Sequence, residues 1–140
     1  MATEVALKRV EPSTNAFVSM KGSFDQIPTA FHRLFGWIGE RGYVPAGPPV
    51  GVYFNDPGQV PVEDLRWEIH CPISGEVVAA GPDERGLGVR RMEGAEYASA
   101  IHRGPYDQVG PTWAGVAEWI ARNGYEIINA PQEVYLSDPS

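Results

Sequence analysis

The chain has one cysteine, Cys71, among 140 residues, so it can close no internal disulfide and build no thiolate metal cluster. No apolar run approaches the roughly 18 residues that a membrane helix requires. The first twelve residues, MATEVALKRVEP, contain no apolar core of a secretory signal. Basic clusters are also missing: 11 Lys and Arg stand against 18 Asp and Glu, for a net charge of −7. Such a balance excludes a phosphate-binding face and so argues against direct contact with nucleic acid. It favours cationic ligands. A cytoplasmic protein with no membrane attachment is the expectation. The three histidines, His32, His70 and His102, are isolated in sequence and lack metal-ligand spacing. No P-loop, dinucleotide fingerprint or nucleophile elbow is present, so neither a cofactor nor a metal is expected.

What the chain has in abundance is Gly and Pro, 16 and 13 residues. They are spread along its length and read as turns between short elements. A hydrophobic share of 43 % suffices for a real core. One domain over residues 1–140 is the prior at this length.

The spread has an internal order. Shifted by 82 residues, positions 5–57 overlie 87–139 without a gap, and 15 of the 53 pairs are identical. Among them are Asp25/Asp107, Trp37/Trp119, Ile38/Ile120, Gly42/Gly124, Tyr43/Tyr125, Val52/Val134 and Tyr53/Tyr135. The chain therefore reads as two copies of one supersecondary unit, joined by a connector at 58–86. Residues 5–10 form a weakly alternating lead-in. Residues 16–21 and 98–103 are expected strands, and Asp25 and Asp107 expected N-caps. Ile27, Phe31, Leu34, Phe35 and Ile38 recur at helical spacing, as do Val109, Trp113, Val116, Ala117 and Ile120. Gly42 and Gly124 stop the two helices. Strands follow at 50–54 and 133–136, and the first copy continues into a strand at 66–73. The expected fold is α+β: two strand–helix–strand–strand modules related by a pseudo-two-fold, in one antiparallel sheet assembly with a ligand cleft between them.

Residues shared by both copies serve folding, so function is sought where the copies diverge. The sharpest divergence is Gly51 against Glu133, inside the matched strands Gly-Val-Tyr-Phe and Glu-Val-Tyr-Leu. Strand alternation places Glu133 with Tyr135, and Gly51 with Tyr53. A carboxylate opposite a gap, flanked by tyrosines, suits a flat, greasy cation. The plainer alternative is a solvated Glu133 and a bulge at Gly51. In the run 66–73, Trp67, Ile69 and Cys71 share one face, and Arg66, Glu68 and His70 the other. A Glu68/Glu133 pair in one cavity would permit acid–base chemistry. The alternative is a surface ladder of Arg66, Glu68 and His70. Trp113 is read as a core residue or a cavity wall, and Tyr106 as a residue at the cavity mouth. Cys71 is read as a core thiol.

These residues resemble a known family. His102-Arg-Gly-Pro-Tyr-Asp, Trp119-Ile, Asn123-Gly-Tyr and Pro131-x-Glu-Val-Tyr-Leu-x-Asp-Pro are similar to the second half of a GyrI-like small-molecule-binding domain. Gly51-Val-Tyr-Phe-x-Asp-Pro and Leu65-Arg-Trp-Glu-Ile-x-Cys-Pro-Ile are similar to its first half. The resemblance implies the effector-binding domain of AraC- and MerR-type multidrug regulators, here without a helix-turn-helix. It implies that Glu133 meets lipophilic cations and, less directly, that Glu68 occupies a second acidic position. Three functions follow as expectations. The first is a stand-alone binder of aromatic, cationic molecules, using Glu133, Tyr135, Gly51, Tyr53, Trp67, Glu68, Tyr106 and Trp113. The second is a cofactor-free hydrolase that opens strained cyclopropane rings, with Glu68, Glu133 and Tyr135 (or Tyr53) as acid and base. The third is an interaction protein that modulates gyrase. A homodimer is compatible with each.

Overall fold

A computed structural model describes residues 4–55, 58–102, 109–127 and 130–135. Its elements run β1 (Ala6–Val10), β2 (Ser13–Lys21), α1 (Ile27–Arg41), β3 (Val50–Tyr53), β4 (Arg66–Pro72), β5 (Leu87–Met92), β6 (Ala95–Ser99), α2 (Gly110–Arg122) and β7 (Gln132–Val134). The fold is α+β with antiparallel sheets. No described helix is long and apolar enough to cross a membrane.

The chain divides into two compact units. One unit contains β1, β6 and α2 (Met1–Pro12 with Glu93–Asn129). Here β1 and β6 form a two-stranded antiparallel ribbon. The other unit (Ser13–Met92 with Ala130–Ser140) contains a five-stranded sheet in the order β5-β2-β4-β3-β7, together with α1. Among the described residues, the buried apolar side chains belong to this second unit, led by Trp67, Phe17, Leu34, Leu65 and Ile69.

The pairing follows the 82-residue shift. Ala6 pairs with Ser99 in one ribbon, and the shifted partners Gly88 and Phe17 pair in the five-stranded sheet. The first strand of each copy thus adds to the second strand of the other. In β3 and β7 the shift maps the pairing onto itself: Gly51 lies directly opposite Glu133, and Val50 and Val52 lie opposite Val134 and Gln132. A local two-fold axis therefore passes through the Gly51–Glu133 pair.

Local chemistry sets the element ends. Helix α1 buries Ala30, Leu34, Trp37 and Ile38, one stripe at i, i+4, i+7 and i+8. Trp37 takes the buried place expected for Phe35, which is 37 % exposed. Gly42 ends the helix with φ 72°, a left-handed conformation that a glycine adopts at no steric cost. Asp25 is not an N-cap. It sits inside a one-turn 3-10 helix, Phe24–Gln26, whose cap is Ser23: the Asp25 N–H donates to Ser23 Oγ at 3.1 Å. Asp107 lies outside the described residues. The strand expected at 98–103 is observed at Ala95–Ser99, because its register is fixed by β1 and not by its own alternation.

Candidate functional site

Residues directly opposite in an antiparallel pair project to the same face. Through the pairs Met20–Trp67, Val18–Ile69, Tyr53–Trp67, Gly51–Ile69 and Gly51–Glu133, one face of the five-stranded sheet carries Trp67, Tyr53, Gly51 and Glu133. Helix α1 covers this face, with the Phe31 and Tyr135 rings 5.2 Å apart at 85°. The pairs Ser19–Glu68, Phe17–His70, Val52–Glu68 and Asn15–Arg90 place Glu68, His70 and Arg90 on the opposite face. Glu68 and Glu133 thus do not line one cavity. An acid–base pair made from Glu68 and Glu133 therefore has no geometric basis here. Alternation along two strands, β4 and β7, decides this, and no sequence comparison between the copies reveals it.

On the α1 face, aromatic rings gather around the local two-fold. The equivalent residues Tyr53 and Tyr135 hydrogen-bond through their hydroxyls. Phe24 stands edge-on to Tyr53 at 5.2 Å and to Trp67 at 5.8 Å. Trp67 Nε1 donates to the Gly22 carbonyl at 3.0 Å. Tyr135 is buried; Tyr53 and Glu133 are half-buried. Burial raises the Tyr53 phenol well above its ordinary range. Tyr135 and the Glu133 carboxylate push it in the same direction. The phenol therefore stays protonated and can donate a hydrogen bond.

Gly51 is not an open gap. A Cβ at this position would lie 2.6 Å from the Tyr53 hydroxyl and 3.1 Å from that of Tyr135. Absence of a side chain lets both phenols fold over the strand. Gly51→Ala should force the tyrosines apart and cost about 1–3 kcal/mol, as overpacking does. Urea denaturation measures the cost, and an unchanged midpoint would show that the phenols move freely.

The other face holds a buried polar network. Glu68 is 5 % exposed and His70 1 %. His70 Nε2 and Glu68 Oε1 lie 2.7 Å apart, and Asn15 Nδ2 lies 3.1 Å from His70 Nδ1. Ser13 Oγ donates to Asn15 Oδ1 at 3.0 Å. Ser19 Oγ and Arg90 Nη2 donate to Glu68 Oε2 at 3.0 and 3.1 Å. Arg90 also lies over the Phe17 ring, 4.4 Å from its centroid, and Phe17 stacks on His70 at 5.6 Å. Burial alone would raise the Glu68 carboxyl. The bonds and charges of His70, Arg90 and Ser19 outweigh it and hold the carboxyl below its usual range.

The expected surface ladder of Arg66, Glu68 and His70 is therefore replaced by a buried cluster. Arg66 is exposed, and its place is taken by Arg90 from β5. Asn15, Phe17 and Ser19 escape a sequence reading because their alternation resembles any strand buried on both sides. Phe31 belongs to the first copy's helical spacing, but nothing in the sequence ties it to Tyr135, or Phe24 to Tyr53 and Trp67. Cys71 is fully buried and its thiol is pushed up by burial. Trp113 is half-buried on α2 of the first unit. Tyr106 lies outside the described residues.

The chain matches the family model of the GyrI-like small molecule binding domain over residues 3–140. It is 28 % identical over 135 residues to a protein named DNA gyrase inhibitor from Citrobacter rodentium, across 94 % of this chain and 85 % of that protein. The protein of the same name from Escherichia coli is 27 % identical over 135 residues, with the same coverage. Among solved structures, the C-terminal domain of EcmrR superposes with a TM-score of 0.75 at 18 % identity, over 99 % of this chain and 87 % of that one. A hydrolase from Listeria innocua superposes with 0.69 at 19 % identity, over 99 % and 84 %. EcmrR in a complex with DNA gives 0.83 at 17 % identity. There this chain is covered to 99 % and spans about half, 51 %, of the EcmrR chain. These likenesses establish the fold.

Proposed function

The chain belongs to the GyrI-like family of small-molecule-binding domains, and from that premise we propose that it holds flat, lipophilic cations against Glu133. The observation that carries this reading is the Gly51–Glu133 pair at the local two-fold, with Tyr53, Tyr135, Phe24 and Phe31 around it. A carboxylate on the edge strand β7 supplies charge from a half-buried position. Ring faces and edges supply stacking and cation–π attraction. The net charge of −7 adds long-range attraction for a cation.

Titration with rhodamine 6G, followed by fluorescence anisotropy, tests this. Glu133→Gln should weaken binding about ten- to a hundredfold, the loss of one partly desolvated ionic contact. Glu63→Gln, an exposed acidic control, should leave it unchanged. Equal affinity in wild type and Glu133→Gln would remove the carboxylate from the site.

A second reading rests on the relatives named DNA gyrase inhibitor: the chain acts on gyrase. A supercoiling assay with added protein decides it, and full gyrase activity at high protein excess would count against that role.

A further inference from the structure

An open concavity of about 460 Å³ lies in the five-stranded unit, lined by Thr14, Arg91 and residues 75–79, all exposed or half-buried. Its volume falls in the range of small-molecule sites, roughly 300–1,000 Å³. None of its walls belongs to the Glu133 cluster or the Glu68 network. Thr14 and Arg91 are partners in the β2–β5 pairing and share a face. Residues 75–79 follow β4 and lead to Ala80, which bridges Val89 on the outer edge of β5.

Four properties of the walls set the ligand's chemistry. Arg91 is exposed and makes no ion pair, and the same holds for Glu76, among the described residues. The two charges are therefore present on one concavity without neutralising each other in a salt bridge. Val77, Val78 and Ala79 add a continuous apolar stretch, with Val78 86 % exposed. Finally, no backbone N–H or C=O of residues 75–79 takes part in a backbone hydrogen bond among the described residues. Five consecutive peptide groups thus remain open to a ligand.

We propose that this cavity binds a small zwitterion of amino-acid type with an apolar side chain. Its carboxylate matches the guanidinium of Arg91, which binds planar carboxylates with two parallel hydrogen bonds. Its ammonium matches Glu76 and the open carbonyls. Its side chain covers Val77 and Val78, which otherwise face water. With one cation and one anion on its walls, the cavity gives no net attraction to a lipophilic cation. The ligand class is therefore distinct from that of the Glu133 cluster.

L-leucine is the probe, titrated at millimolar concentrations into the full-length ¹⁵N-labelled chain. Saturable shifts are expected at the amides of Thr14 and residues 75–79. Arg91→Gln and Glu76→Gln should each weaken binding about tenfold, as should L-leucine methyl ester, which lacks the carboxylate, and N-acetyl-L-leucine, which lacks the ammonium. Both positions are exposed, so spectra elsewhere should report an intact fold. Absence of shifts at these amides overturns the proposal. So does binding of the two blocked forms as tight as that of leucine, which reduces the site to an apolar contact. Rhodamine 6G affinity, measured on Arg91→Gln, should equal that of the wild type, which separates this site from the one at Glu133.

Discussion

Glu68→Ala should lower the stability of the fold by about 3 kcal/mol, because it leaves buried or half-buried donors without their acceptor. His70, at 1 % exposure, loses the partner of its Nε2, and Ser19 and Arg90 lose theirs. At this chain length the loss corresponds to a fall in Tm of about 10 °C. Differential scanning calorimetry measures it. Glu68→Gln preserves the shape and one acceptor oxygen and should lose less. If both variants melt with the wild type, the network contributes nothing.

The same residue fixes a pH dependence. In the folded chain the Glu68 carboxyl lies below its ordinary range, so the unfolded chain binds its proton more readily. Its contribution to stability is complete above the ordinary carboxylate range. It is lost as pH falls through the depressed folded value. The stability difference between wild type and Glu68→Ala should therefore be flat near neutrality and shrink in acid. Urea denaturation at a series of pH values checks this, and a difference that widens in acid contradicts it.

Trp67→Ala should cost about 3–5 kcal/mol, as for other large core rings. Trp67 is 1 % exposed, so removing its ring opens a buried cavity. The variant also removes the bond from Nε1 to the Gly22 carbonyl and the wall against which Phe24 stands. Phe24 in turn supports Tyr53. Cation affinity should therefore fall together with stability, although Trp67 need not touch the ligand. Trp67→Phe separates the two contributions. It retains most of the packing, loses the indole hydrogen bond at about 1 kcal/mol, and should retain most of the affinity. Binding by Trp67→Ala as tight as that of the wild type, in buffer where the variant is still folded, would show that the aromatic wall is not needed.

Much of the fold is legible in the sequence because the same signals occur twice. The 82-residue shift, the helical spacing ending at Gly42, and the strands at β3 and β4 all depend on local periodicity and turn chemistry, which a sequence displays directly. Glu133 stands out for the same reason: it breaks the repeat just before the matched pairs Val52/Val134 and Tyr53/Tyr135 and two residues after Pro49/Pro131. The resemblance to the GyrI-like family rests on these runs, and the family match over residues 3–140 agrees with it.

What the tertiary structure alone decided is which residues meet. Periodicity gives each strand two faces but does not say which face of β4 matches which face of β7. Register through β3 assigns Glu68 and Glu133 to opposite sides of one sheet. It also assigns Arg90, not Arg66, to Glu68, across 22 residues of chain and by way of β2. Gly51 reads as a vacancy in the sequence, yet two phenols from positions 82 residues apart occupy the space above it. The sequence by itself determined most of the elements, the repeat and the divergence at Glu133, because those depend on neighbours within a turn or a strand. The partners of that carboxylate, and of the buried Glu68, depend on hydrogen-bond register between strands distant in the chain, which only the folded sheet specifies.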